Sequence, residues 1–178
     1  MMDVPILQGN QVFLRRLTEE DATQEYVDWM NDPEINQYLE SRFNKQTIAS
    51  TRAFIRSVTN DNNYQFGIFL NESGKHIGNI KIGSINHYHR YADIGFLIGD
   101  KSYWGRGIAT EAIRLATDFA FIKLNLHKLW GGAYSPNIGS IKAFLKNAYQ
   151  QEGIKKNQYL CQGKYVDDIL FGKVNPNE

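Results

Sequence analysis

One cysteine, Cys161, in 178 residues leaves no partner for an intramolecular disulfide. The fold must therefore be held by burial and hydrogen bonding, and the cysteine usage fits a reducing compartment. No activation motif surrounds Cys161, which argues against a catalytic thiol. Long apolar runs are missing too. No stretch is long enough to span a bilayer, and the N-terminus lacks the apolar core of a signal peptide, so the expectation is a soluble cytoplasmic protein with no membrane partner. Lys and Arg number 20 against 19 Asp and Glu, a formal net charge of +1. Without a Lys/Arg block, nothing favours nucleic acid as a partner. Neither an internal repeat nor a low-complexity tract appears, and nothing reads as a linker, so residues 1–178 are expected to form a single domain.

Against these absences stands Trp104-Gly105-Arg106-Gly107-Ile108-Ala109-Thr110-Glu111. Upstream, Tyr91 to Ile98 alternates and is rich in aromatic and β-branched residues, as a strand should be. Downstream, Ile108, Ala112, Leu115, Ala116, Phe119 and Ala120 recur at helical spacing, so the glycines precede a helix N-terminus. There the orphan amides and the positive end of the macrodipole favour an anion, and glycine lets a phosphate approach the backbone. A Walker loop would end in Gly-Lys-Ser or Gly-Lys-Thr, and this stretch has no such lysine. A Rossmann turn would carry a third glycine and an acidic residue at the end of the next strand, and neither is in register.

The rest of the chain mixes helix and strand. Thr18 and Asp21 form a capping-box-like helix start, and Ile48, Phe54 and Ile55 mark a helix over Thr47 to Val58. Tyr64 to Leu70 and His76 to Ile85 read as strands joined by the turn Asn71-Glu72-Ser73-Gly74. Lys128 to Ala133 reads as a buried strand and Ile138 to Asn147 as a helix. Gln150 to Tyr159 and Tyr165 to Lys173 read as a closing hairpin.

Trp104-Gly105-Arg106-Gly107-Ile108-Ala109 resembles the Gln/Arg-x-x-Gly-x-Gly/Ala pyrophosphate loop of the GNAT N-acetyltransferases, with tryptophan at the first position. With Thr110-Glu111-Ala112 following, it is most similar to the RimJ/RimL branch. Asn137-Ile138-Gly139-Ser140, then Ala143-Phe144 and Ala148-Tyr149, resembles the family's Asn-x-x-Ser/Ala, Leu-Tyr, Gly-Phe segment. Val12 to Leu17, Trp29 to Glu34, and Gly163 to Asp168 resemble the family's first strand, the end of its first helix and its closing strands. The resemblance implies an α+β fold, a central, mostly antiparallel mixed sheet flanked by helices. It also implies acetyl-CoA as co-substrate, a primary amine as acceptor and no metal. The acceptor is a protein N-terminal amine, as in RimJ/RimL relatives, or a small amine such as a nucleotide-linked amino sugar or a polyamine. Some relatives pair as homodimers, and that state stays open here.

In that fold the strand before the phosphate loop and the strand after its helix diverge. The resemblance implies that Phe96, Leu97 and Ile98 offer backbone groups to the pantetheine arm, with an N–H near Leu97 as oxyanion donor. Gly105, Arg106, Gly107, Ile108, Ala109 and Thr110 would surround the pyrophosphate; a solvated loop charge is the other reading of Arg106. Asp93 stands where related sequences often carry Glu and would take the amine proton through water; a surface ion pair is the alternative. His87 and His89 have the right intrinsic pKa for a base, yet loop histidines are commonly just solvated. The family's acid, a tyrosine seven residues after the asparagine, is Phe144 here, and a phenyl ring has no proton to give. Ser140, with Asn137 ordering it or a water near the thiol, is the nearest polar replacement; capping the helix is the other reading of Asn137. Tyr134 is a further candidate, while Tyr38, Phe43 and Tyr88 are candidate pocket aromatics. A CoA-binding sensor without chemistry and an unrelated nucleotide-phosphate module remain as other classes.

Overall fold

The computed structural model describes residues 4–58, 60 and 62–178. Eight strands form one sheet in the order β1-β2-β3-β4-β5-β6-β8-β7. They are β1 (Leu7–Gln8), β2 (Val12–Arg16), β3 (Tyr64–Leu70), β4 (His76–Asn86), β5 (Tyr91–Ile98), β6 (Lys128–Tyr134), β7 (Gln150–Cys161) and β8 (Lys164–Val174). Every neighbouring pair is antiparallel except β5 and β6. That one parallel pair needs a crossover, and α4 (Ile108–Ile122) provides it.

Both faces of the sheet centre are covered, which explains why β3 is buried along its whole length. On one side Phe66, Ile68, Ile80, Ile82 and Ile94 pack with Ala112, Ile113, Ala116 and Phe119 of α4. On the other, Phe69 joins Leu17, Tyr26, Trp29, Ile35 and Ile55, contributed largely by α1 (Gln24–Asn31), α2 (Pro33–Asn36) and α3 (Ile48–Val58). The remaining helix, α5 (Ile138–Lys146), follows β6 and packs on α4. The expected mixed sheet with flanking helices is thus what forms. The first helix differs from its expected start: Thr18 opens only a 3-10 turn at Glu19–Asp21, and the chain is capped again by Thr23 before α1 begins. Asp21 holds the Thr18 N–H at 2.7 Å and also takes the Arg15 guanidinium, so its carboxylate anchors a turn against β2.

Glu111 shows how α4 is fixed to the sheet edge. Its side chain is buried, and its carboxylate accepts the amides of Asn10 and Gln11 in the turn between β1 and β2. Charge-assisted bonds of this kind contribute more than neutral ones, and their loss strands two donors. Glu111→Ala is expected to cost about 2 kcal/mol, a Tm fall of roughly 4–8 °C in a domain of this size. Urea unfolding of the two proteins checks it; an unchanged midpoint would refute the clamp.

Candidate active site

The parallel pairing of β5 and β6 extends only over Tyr91↔Lys128, Ala92↔Leu129 and Asp93↔Trp130. Beyond Asp93 the strands part, and a cleft of about 960 Å³ opens between them. Its walls are the outer part of β5, the loop into α4, the end of β6 and the start of α5. Residues 34–40 cover one side, and Tyr159 and Asp168 of the closing hairpin complete it.

At the loop end, Gly105 and Gly107 have φ of +74° and +81°. This left-handed conformation is costly for any residue with a Cβ. It turns the chain into α4 with Gly107 as N-cap, leaving the first-turn amides without helical partners. A Cβ at either glycine would meet nothing within 4 Å; the glycines face open space, the cradle an anion needs. The Trp104 indole N–H donates to the Ile98 carbonyl at 2.8 Å and ties this loop to the end of β5. Asn147, just after α5, donates to the Thr110 carbonyl at 3.0 Å and brings α5 alongside. Lys142 and Lys146, one helical turn apart, both line the cleft. Gly105, Gly107, Ile108, Ala109 and Thr110 all reach the cleft wall. Arg106 does not: it is exposed, with its guanidinium over the Tyr103 ring at 5.3 Å.

Strand alternation decides which backbone groups face the gap. The Ile94 carbonyl lies on the β6 side, 2.8 Å from where a Gly131 Cβ would be, and the Leu97 carbonyl lies on the β4 side, 2.3 Å from the same point on Gly78. An antiparallel residue sends its N–H and C=O the same way. Leu97 therefore presents its backbone to β4. Phe96 and Ile98 are the residues turned toward the gap, and Ile98 already shares its carbonyl with Trp104.

Asp93 lines the cleft where the strands part, with Lys81 at 2.8 Å. The ion-pair alternative is thus realised within the cleft wall. Asn137 caps α5 by accepting the Ser140 N–H at 3.2 Å, and both residues line the cleft. Phe144 is fully buried, stacked on Phe171 at 5.1 Å and edge-on to Phe96 at 5.5 Å. His87 and His89 lie in the turn between β4 and β5 and take no part in the wall: His87 bonds Asn62, and His89 stacks on Tyr91. Of the pocket aromatics, Tyr38 lines the cleft, whereas Phe43 and the 97% exposed Tyr88 stand outside it. The Tyr134 hydroxyl donates to Glu40 and accepts from Arg42 at 3.1 Å. Burial and then Glu40 push its pKa up to about 12, so it stays protonated at neutral pH.

The site also contains residues that sequence patterns did not single out. Tyr159 stacks on Tyr134 with centroids 4.4 Å apart, and Asp168 projects over Gly132, its Oδ1 2.7 Å from where a Cβ there would be. Asp168 is buried, and that burial pushes its carboxyl above the ordinary aspartate range, against the pull of Lys155. Among the described residues no group of three or more His, Cys, Asp or Glu is placed to hold a metal, and no helix is long and apolar enough to cross a membrane.

The chain shares this architecture with solved proteins. A RimL ribosomal L7/L12 α-N-protein acetyltransferase bound to CoA superposes with a TM-score of 0.85 at 16% identity, over 98% of this chain and 100% of that one. A Vibrio cholerae spermidine N-acetyltransferase bound to CoA and spermine gives 0.82 at 21% identity, over 93% and 96%. In sequence, the probable N-acetyltransferase YjcK of Bacillus subtilis (strain 168) is 34% identical over 119 residues, 66% of this chain and 65% of that protein. Residues 11–150 match the acetyltransferase (GNAT) domain model. That span holds both the Gly105–Gly107 loop and the strand pair that opens beside it, and on it the chain belongs to the GNAT N-acetyltransferase superfamily.

Proposed function

We propose that this protein transfers an acetyl group from acetyl-CoA to a primary amine. The observation that carries the reading is the pairing of an anion cradle with a strand edge that is open on the same cleft. The α4 amides behind Gly107 suit a pyrophosphate, Lys142 and Lys146 suit further phosphate charge, and the free edge of Phe96 and Ile98 suits an amide-bearing arm added as an extra strand. An arm laid along that edge from the loop toward Asp93 brings its thioester to the parting of the strands.

The chemistry then needs a neutral amine beside the thioester carbonyl. An ammonium has no lone pair, so a carboxylate or a water chain must first take a proton. Alignment supplies much of the rate, since oriented reactants reach effective molarities of about 10⁵ M or more. The developing oxyanion needs an N–H, and the Phe96 amide is turned the right way. Ser140, half-buried at the start of α5, presents a hydroxyl to the cleft on the helix that carries Phe144 and serves as the acid toward the leaving thiolate. The acceptor is an N-terminal amine of a protein, as the RimL likeness suggests, or a small amine such as the polyamine of the Vibrio relative.

Thermal unfolding with saturating acetyl-CoA tests the cofactor. At about 100 times its Kd a ligand adds roughly 2.7 kcal/mol, expected here as a Tm rise of about 5–11 °C, with ATP giving less. Thiol release with a panel of amines tests the transfer. Phe144 favours one second reading, a CoA sensor without chemistry. It is distinguished by a full Tm rise and no thiol release with any amine.

A further inference from the structure

We propose that Asp168 seats the ammonium of the acceptor and takes its proton, an assignment that rests on the acetyltransferase reading. The carboxylates lining the cleft differ in what they already hold. Glu34 has Lys101 at 2.5 Å, Asp93 has Lys81 at 2.8 Å, and Glu40 takes the Tyr134 hydroxyl. Asp168 is held more loosely, by a longer ion pair to Lys155. Its side chain is only 6% exposed. The nearest cation, the half-exposed Lys155 ammonium, stays at 3.6 Å, longer than a hydrogen bond. A buried carboxylate with so loose a partner is costly, and such groups in native proteins are nearly always closely hydrogen-bonded. What remains open to Asp168 is the cleft itself.

Its position suits an amine about to react. Gly132 leaves the space beneath Oδ1 empty. Trp130, the partner of Asp93 at the last paired position of β5 and β6, is two residues before Gly132, about 7 Å along the strand. Asp168 therefore faces the cleft close to where the strands part. The rings of Tyr134 and Tyr159, stacked on each other, and of Tyr38, edge-on to Tyr134 at 5.8 Å, supply aromatic surface for a cation. The charged and titratable groups around the site are Lys155 and Tyr159 from β7, Tyr134 from β6, Glu40 and Arg42 from the covering segment, and beyond them the Lys81–Asp93 pair.

The step balances. One N–H bond of the ammonium breaks and its proton binds an Asp168 oxygen, leaving the nitrogen lone pair free. That pair forms the C–N bond to the thioester carbonyl carbon, the C–S bond breaks, and a second nitrogen proton leaves with the thiolate as thiol. Asp168 then returns its proton to water.

The test uses the full chain saturated with CoA, titrated with spermidine, an alanine-terminated peptide and glucosamine, and the acetyl-CoA reaction of whichever amine binds. Asp168→Asn is expected to keep the native Tm rise with acetyl-CoA and to raise the Kd of the bound amine at least about tenfold, the loss of a charged hydrogen bond. It should lower kcat/KM about 100-fold and erase the acidic limb of the pH profile, which in the native protein burial of Asp168 moves upward. Gly132→Ala, whose methyl presses on Oδ1, should weaken amine binding in the same direction while leaving acetyl-CoA bound. Native amine affinity and an unchanged pH profile in Asp168→Asn would overturn the assignment alone. So would a CoA complex of the native chain that takes up none of the three amines. A native chain that shows no Tm rise with acetyl-CoA would overturn the acetyltransferase reading and this assignment with it.

Discussion

Gly107→Val is expected to abolish the acetyl-CoA-dependent Tm rise while leaving the sheet intact. Valine is poorly suited to φ of +81°, because its branched Cβ crowds the backbone in the left-handed region. The substituted loop would relax toward negative φ and re-aim the first-turn amides of α4. A Cβ at Gly107 meets no protein atom within 4 Å, so steric conflict inside the fold is not the cause, and the loss in unliganded stability should stay near 1–2 kcal/mol. The binding loss should be far larger, since the space that the side chain enters is the space a phosphate must enter. Gly107→Asn separates the two effects. Asparagine tolerates the left-handed region, so the loop geometry survives and only the approach is hindered; it should retain part of the Tm rise that valine loses. Equal, native-sized rises in all three proteins would mean that the phosphate is held elsewhere.

The contrast between this loop and the acceptor side shows what a sequence can carry. Gly105 and Gly107 were legible because one local requirement, a left-handed turn into a helix, needs a specific residue type at a specific spacing. Asn137 was legible for the same reason, as a cap on α5. The strands followed from runs separated by turns, since β3, β4 and β5 each alternate or run apolar with clear ends, while their assembly into one mixed sheet came from the family resemblance. Which way Leu97 sends its amide was not legible, because it depends on register with β4, which no local pattern encodes. Asp168 was invisible for a related reason. The β7–β8 pairing slips twice, between Gln151 and Gly153 and between Lys155 and Tyr159, and each slip changes which side chains face the cleft. Beside it on β8, Asp167 pairs its carboxylate with Lys156 at 2.8 Å. Two adjacent aspartates thus do different work, and only the three-dimensional register tells them apart.

Phe144→Ala is expected to be among the most damaging single changes in the core. The ring is 1% exposed and touches Phe96, Tyr149 and Phe171, with its tip against Gly131 on β6. Truncating a buried phenylalanine costs about 3–5 kcal/mol, made up of lost transfer energy and the cavity left behind. In a domain of this size that is a Tm fall of roughly 6–20 °C. Phe144→Leu, which refills most of the volume, should recover a good part of it. The position also bears on function, because Phe144 joins α5 to both diverging strands, through Phe96 of β5 and Gly131 of β6. Its loss should loosen the gap between them before the fold itself melts. Acetyl-CoA affinity measured well below the lowered Tm should therefore fall in Phe144→Ala and largely return in Phe144→Leu. A destabilised Phe144→Ala protein that binds acetyl-CoA as tightly as the native one would show instead that the cleft is held open by the loop and β5 alone, with the aromatic cluster serving only the core.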